Sequence, residues 1–593
     1  MIKYNNMAMV TLKREGMKRK RMKLILHYLR KHIGVFLLST LFLTIEAMAD
    51  LMQPTFMSYI VDKGVANADI RTIFFYGGIM LGIAGLGAVS AIMRNIFSSR
   101  TSQTIGKELR QDLYHKVQEL SLENIDRLQP ASIITRITND VTQIQEFINS
   151  LMRMMVKAPI TCIGAIVLII LRTPQQTPVI LAIIGVVTLL TLGNIRIGYP
   201  RFSVVQKKLD KLNGVAREFL ASVRVVKAFN AEEQETAKFD TAASDLAVAN
   251  TAALRVMAAF TPLINLSVNL GIVVLLWISR HQDAAEIGKL MASVNYMTQV
   301  LFAVSMIFNV INTAVRAIAS AERIDEVLKE QPAQSHPLQP LTPELTGDIR
   351  FENVSFTYSG AGKETLRHIN IRIRPGETIG IIGPTGSGKT TLVNLIPRFY
   401  DVTEGRLLLD GCDVTQIDEK LLRTTIAVVP QKPLLFSGTI RENLRWGNED
   451  ADETVIEHAV KIACADSFIR QMINGYDTML GQGGVNLSGG QKQRLSLARA
   501  LVRQPKILIL DDCTSALDAQ TETRVLNGLR NLSGKMTILL ISQRISTVMK
   551  TDRILCLADG MVQGFGTHEE LMESCETYRA IYASQIGGEA YGN

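Results

Sequence analysis

Six apolar segments fill the first half of the chain, with cores near residues 33–60, 73–93, 158–171, 178–193, 257–279 and 290–311. A membrane-crossing α-helix needs about 20 such residues, so these segments predict six spans. The third and fourth are short. Only Arg172-Thr173-Pro174-Gln175-Gln176-Thr177 separates them, which predicts a helical hairpin with a tight outer turn. The stretches after the second and fourth, about 94–157 and 194–256, are long, polar and rich in Lys and Arg. Basic connections stay in the cytoplasm. These two are too long for turns and too regular for disorder, so the spans are expected to run on as helices beyond the bilayer.

Composition agrees with a membrane part followed by a soluble part. The 593 residues suffice for two or three domains. Hydrophobic residues make up 47% of them and are concentrated before about residue 320. The net charge of +9 is of the sign that nucleic acid attracts, but basic residues flanking spans account for it without a nucleic-acid partner. Lys13, Arg14, Lys18, Arg19, Lys20, Arg21 and Lys23 precede the first span, with no cleavable leader pattern, and predict a cytoplasmic N-terminus. The amphipathic stretch 24–32 is expected to lie along the membrane surface. The six cysteines are scattered without metal-ligand spacing, which suits a reducing compartment.

The Pro-rich stretch 331–343 reads as a linker. From Asp348 the pattern changes to alternating strands and helices, the mark of an α/β domain. Within it, Gly383-Pro384-Thr385-Gly386-Ser387-Gly388-Lys389-Thr390 fits the phosphate-binding pattern G-x-x-x-x-G-K-[ST]. It stands between a predicted buried strand, 378–382, and a helix opening at Thr391. The glycines let the backbone N–H groups wrap a phosphate, and the helix start adds partial positive charge. Lys389 can reach the β/γ-phosphates and the Thr390 hydroxyl can ligate Mg²⁺. The stretch 507–512 is a strand ending in two carboxylates. Asp511 would hold Mg²⁺ there, directly or through water.

Other stretches carry a family resemblance. Leu487-Ser488-Gly489-Gly490-Gln491 reads as a helix start. Residues 351–358 alternate as a strand and end in Tyr358, 25 residues before Gly383. Val428-Val429-Pro430-Gln431 and Ser515-Ala516-Leu517-Asp518 complete the set. Together with the phosphate loop they resemble the ATP-binding cassette exporters. Parts of the two long connections, 122–141 and 214–229, resemble the same family's cytoplasmic loops, whose tips form coupling helices. The resemblance runs from about residue 24 to 585. It implies a half-size exporter: an all-α six-helix transmembrane domain followed by an α/β P-loop nucleotide-binding domain. The boundaries expected are 1–32 for the N-terminus and interfacial helix, 33–328 for the transmembrane domain, 329–347 for the linker, 348–585 for the nucleotide-binding domain and 586–593 for a tail. It also implies that Tyr358 stacks on adenine and that Gln431 approaches Mg²⁺ and the attacking water. Ser488, Gly489, Gly490 and Gln491 are implied to face the γ-phosphate of ATP bound on the opposite subunit.

Two positions depart from the family pattern. Its catalytic glutamate falls at Asp512 and its switch histidine at Gln543. More mildly, Gly481-Gln482-Gly483-Gly484 lacks the usual Glu-Arg pair. Asp is one methylene short of Glu, which withdraws the carboxylate by ~1.5 Å on an unchanged backbone. A misplacement of ~1 Å can cost on the order of 100-fold in rate. Gln543 can hydrogen-bond phosphate but cannot exchange a proton near neutral pH. The combination resembles one half of a heterodimeric exporter with one degenerate and one competent ATP site. ATP and Mg²⁺ are the expected cofactors, a second half-transporter the expected partner, and a plasma or inner membrane the expected location. Small hydrophobic or amphipathic cargo is expected, moved by alternating access. A homodimeric exporter of lipid or peptide, and an ATP-binding regulatory subunit with little turnover, remain alternatives.

Glu46 and Asp50 in the first span are four residues apart and share a helix face. Ionised carboxylates facing lipid are costly, so this face is expected to point into the bundle or a wet cavity. Either they serve the transport pathway, or they pair structurally with polar groups such as Asn265, Asn269, Asn295 or Gln299.

Overall fold

The structure, a computed structural model, describes residues 23–586 except 176, 279–286, 336, 533 and 535. The basic stretch before residue 23, the turn residue Gln176 and the tail from 587 lie outside the described residues.

The described residues of the first half are helical apart from short turns. Helix α1 (Lys23–Lys31) buries Ile25, Tyr28 and Leu29 along one face, as its amphipathic pattern predicts. Then follow α2 (Ile33–Tyr59), α3 (Ile70–Glu119), α4 (Leu122–Leu128), α5 (Pro130–Thr135), α6 (Val141–Ser150), α7 (Lys157–Arg172), α8 (Thr177–Ala228), α9 (Glu232–Ile278) and α10 (Ile287–Lys329). Among the described residues, five rods are long and apolar enough to cross a membrane: Ile33–Val65, Ile70–Glu119, Pro130–Arg172, Thr177–Ala228 and Glu232–Ile278. The sixth apolar segment lies in α10, itself 43 residues long. At 1.5 Å per residue the 50 residues of α3 extend about 75 Å, more than twice a ~30 Å hydrocarbon layer. The spans therefore do continue as helices past the membrane. Short π-helical turns, Arg136–Asp140 and Leu151–Met155, join α5, α6 and α7 into one rod.

The chain divides into two compact units. One ends at Lys329; the other comprises Val117–Pro130 and the chain from Glu330 onward. The sequence placed the whole of 33–328 in one domain, whereas the tip of the first long connection groups with the second unit. The reason is local. Asn124 of α4 is buried; its Nδ2 donates to Glu330 Oε1 at 2.7 Å and to the Gln331 carbonyl at 3.0 Å, and its Oδ1 accepts from the Ala333 amide at 2.9 Å. The Tyr400 hydroxyl donates to Asp126 Oδ2 at 2.6 Å.

In the second unit, β1 (Ile349–Phe356), β2 (Leu366–Ile373), β4 (Glu404–Leu409) and β5 (Cys412–Asp413) form an antiparallel sheet of order β2-β1-β4-β5. The larger sheet has the order β12-β11-β3-β10-β9-β6 and is built from β3 (Thr378–Ile382), β6 (Ile426–Val429), β9 (Ile507–Asp511), β10 (Thr537–Ile541), β11 (Arg553–Ala558) and β12 (Met561–Gly566). From β6 to β11 neighbouring strands are parallel. Parallel sheets are covered on both faces and read as unbroken apolar runs; every residue of β9 and β10 is buried. Alternation along β9 divides the core. Ile507 and Ile509 pack with β1 and β2, while Leu508 and Leu510 pack with the helices on the other face. β7 (Gly438–Thr439) and β8 (Met479–Leu480) make a separate short pair.

Candidate nucleotide site

Four adjacent parallel strands deliver the candidate groups to one edge. β3 ends at Ile382 and opens onto Gly383. β10 ends at Ile541, two residues before Gln543. β9 ends at Asp511, followed by Asp512, and β6 ends at Val429, two residues before Gln431. Register places Ile541 beside both Ile381 and Asp511, and Val429 beside Leu510. Ligands of open α/β sheets bind outside the carboxyl ends of the strands. Here a cleft of about 310 Å³ lies at that edge. Thr385, Gly386, Ser387, Gly388, Lys389, Thr390, Thr391, Gln431, Asp511, Asp512 and Gln543 line it, together with Thr365, which sequence reading missed.

The phosphate loop needs glycine for two reasons. A Cβ at Gly383 would stand 2.0 Å from the Leu557 carbonyl oxygen. Gly388 caps α11 (Lys389–Leu395) from the left-handed region at φ +95°. The Lys389 ammonium lies within the loop, donating to the carbonyls of Gly383 (2.9 Å) and Pro384 (2.8 Å) and to Ser387 Oγ (3.3 Å). Desolvation holds its pKa below the usual lysine value.

The Thr390 hydroxyl meets both oxygens of Asp511, at 3.2 and 3.0 Å. Burial pushes the Asp511 carboxyl upward. The same cause raises Asp512. Asp512 Oδ2 accepts from Gln431 Nε2 and from Gln543 Nε2, each at 3.4 Å. The structure thus brings Gln431 against Asp512, while Thr390 and Asp511 pair with each other. These residues fit a nucleotide phosphate with its metal ion. The loop presents backbone without side chains at Gly386 and Gly388, and hydroxyl and carboxylate oxygens stand together, the donor type that a hard divalent cation takes.

Tyr358 does not line the cleft but borders it: its hydroxyl lies 3.1 Å from Thr391 Oγ1, and its ring packs edge-on against Phe356 and Tyr400. Ser488, Gly489, Gly490 and Gln491 are likewise not among the lining residues. Ser488 caps α12 (Gly489–Val502) in a reciprocal box with Gln491. A Cβ at Gly490 would press the Ala516 carbonyl at 2.9 Å, so the signature and the loop 515–518 approach closely. Gln493 holds them together, donating to Ser515 Oγ (3.3 Å) and accepting from the Ala516 amide (3.1 Å).

In the membrane half, Glu46 is buried as expected, but its partners are cations rather than the amides the sequence suggested. Arg94 Nε lies 2.7 Å from Glu46, and Lys157 Nζ bridges Glu46 (2.6 Å) and Asp50 (2.8 Å). Of the four amides, Gln299 reaches this cluster, donating to the Asp50 backbone carbonyl at 3.1 Å. Arg94 and Lys157 each stand one residue outside an apolar core, which hid them from a hydropathy reading.

The match to known proteins follows this layout. The model for the ABC transporter transmembrane region matches residues 36–304, and that for the ABC transporter matches 366–515. The chain is 39% identical to an uncharacterized ABC transporter ATP-binding protein, YfiB, of Bacillus subtilis, over 92% of this chain and 95% of that protein. It is 31% identical to the ATP-dependent lipid A-core flippase of Chromobacterium violaceum, over 95% of this chain and 97% of that one. The solved structure of a bacterial Atm1-family ABC exporter with ATP bound aligns with a TM-score of 0.76 at 26% identity, covering 94% of this chain and 99% of that chain. The chain belongs to the ABC transporter family. It is a half-size exporter with an Atm1-family fold, and it couples ATP hydrolysis to transport.

Proposed function

We propose that this chain is the degenerate-site subunit of a heterodimeric exporter in the plasma or inner membrane, and that it moves small hydrophobic or amphipathic molecules by alternating access. The observation that carries this reading is the pairing of Asp512 with Gln543 in one cleft. Neither side chain matches what hydrolysis at a family site asks for, and each makes only a 3.4 Å contact with the other. In the proposal Lys389 and the loop amides hold the phosphates, Tyr358 meets the adenine, and Thr390, Asp511 and Gln431 supply oxygens to Mg²⁺. Bound Mg²⁺ neutralises charge on the phosphates. Asp512 orients water poorly because its carboxylate is short. Gln543 donates to phosphate but keeps its protons. Ser488, Gly489, Gly490 and Gln491 face the partner's nucleotide, where nearly all hydrolysis occurs.

A homodimeric lipid exporter is the second reading, favoured by the 31% identity to a lipid A-core flippase. Two substitutions separate the two. In the heterodimer Asp512→Asn leaves most of the turnover, since it alters a carboxylate already out of place. Ser488→Arg abolishes most of it by filling the space beside the partner's γ-phosphate. Steady-state ATPase and transport in membranes containing both subunits is the measurement. Equal, severe losses from both changes would overturn the heterodimer and make Asp512 the working carboxylate of a homodimer.

A further inference from the structure

The loop carrying Gln543 runs from the end of β10 at Ile541 to the start of α14 (Ile545–Val548). Two grips hold it. On one side Arg544 Nη1 donates to Glu522 Oε2 at 2.5 Å. Glu522, of α13 (Ala519–Arg530), is buried and also accepts from Thr514 Oγ1 and Thr547 Oγ1, each at 2.9 Å. On the other side stands Gln585, the last residue of α15 (Glu576–Gln585). Its Nε2 donates to the Gln543 carbonyl at 2.7 Å, and its Oε1 accepts from the Ile545 amide at 2.8 Å. One carboxamide thus spans the backbone on both sides of Arg544, using its donor and its acceptor at once. The helix that bears it is fixed in turn: Tyr578 packs in an apolar cluster with Ile382, Ile545, Cys556 and Cys575. That cluster contains the residue before Gly383 and the residue that closes the Gln543 loop.

We propose that Gln585 is a positioning residue of the nucleotide site, setting through the backbone where the Gln543 side chain stands over Asp512. The Gln543–Asp512 contact is near the outer limit of a hydrogen bond, so a backbone shift of a few tenths of an ångström decides whether it exists. Gln585 acts only through the loop, since its two bonds go to backbone atoms of Gln543 and Ile545.

Three variants of the full-length protein, together with its partner subunit, test this. Gln585→Met keeps the length and removes both hydrogen bonds. Gln585→Glu keeps the acceptor for Ile545 but sets an oxygen against the Gln543 carbonyl. Ser584→Ala, one residue away, is the control. Backbone hydrogen exchange over 542–545 and the release rate of labelled ATP from this chain are the readouts. Both should rise about three- to tenfold in the two Gln585 variants, the scale set by one net hydrogen bond, with Tm lowered by no more than about 2–4 °C. Unchanged exchange and release in both would overturn the proposal. So would exchange that rises equally across the whole domain with a Tm lowered by more than about 4 °C, which is what a merely structural role predicts. Both readouts report on this chain's own cleft, so they do not depend on whether the partner is identical.

Discussion

Asp512 sends its carboxyl into the cleft from a left-handed backbone, φ +48°. Asp tolerates that region better than most residues, yet such conformations carry about 1–3 kcal/mol of strain and persist only where surroundings enforce them. The enforcement is visible: the Asp512 amide donates to the Ile541 carbonyl at 3.1 Å, and its carbonyl accepts from Ser515 Oγ at 2.9 Å. Its neighbour Asp511 gives a pH test. Burial holds the Asp511 carboxyl above its usual 3.8. A carboxyl whose pKa is higher folded than unfolded contributes stability that is full below the unfolded value and lost as pH rises through the folded one. Metal-free protein should therefore lose stability with rising pH in that window, and Asp511→Asn should flatten this component. With Mg-ATP present the sign reverses, because the ionised carboxylate is the ligand, and ATP retention should fall on acidification above pH 3.8. Thermal unfolding against pH, with and without Mg-ATP, for both proteins checks it. Identical slopes in variant and parent would remove Asp511 as the cause.

At the scale of elements, the phosphate loop was legible because its chemistry is local. Spacing, glycine positions and flanking strand patterns all sit within about twenty residues, and β3 spans the 378–382 that the sequence predicted. Gly383→Ala should accordingly abolish ATP retention, since its Cβ would lie 2.0 Å from a backbone oxygen that a strand holds in place. Normal photolabelling by ATP in that variant would contradict the close approach. The tip helix α4 was not legible as part of the second unit. Nothing in Leu122-Glu123-Asn124-Ile125 announces that Asn124 will bond to residues more than 200 positions later. Its buried carboxamide predicts a stability effect. Asn124→Ala removes its bonds to the Gln331 carbonyl and the Ala333 amide, and should destabilise the second unit by about 0.5–1.5 kcal/mol. A Tm equal to the parent's would mean that water replaces the side chain. The clamp of Gln585 on the Gln543 loop was hidden for the same reason: its partners are backbone atoms, which leave no trace in side-chain pattern.

At the scale of the whole molecule, the division into a membrane half and a soluble half followed from the change of pattern between residues 320 and 348. What hydropathy could not supply was how the membrane half neutralises its own charge. Arg94, Glu46, Lys157 and Asp50 form a chain of alternating sign across α3, α2 and α7, two carboxylates against two cations. Taking such groups out of water is costly unless they pair, and removing one partner of a buried pair typically destabilises by about 3–5 kcal/mol. The cluster is graded in exposure: the Glu46 side chain is 9% exposed and that of Asp50 is 38% exposed. This difference makes the two positions a test between a wet pathway and a sealed structural pair. With the six native cysteines replaced, Asp50→Cys should react with small water-soluble thiol reagents in membranes, while Glu46→Cys in the same state should be protected. Complete protection of Asp50→Cys in both nucleotide-free and ATP-trapped protein would make the cluster a structural tie between helices and take Asp50 off any route for cargo.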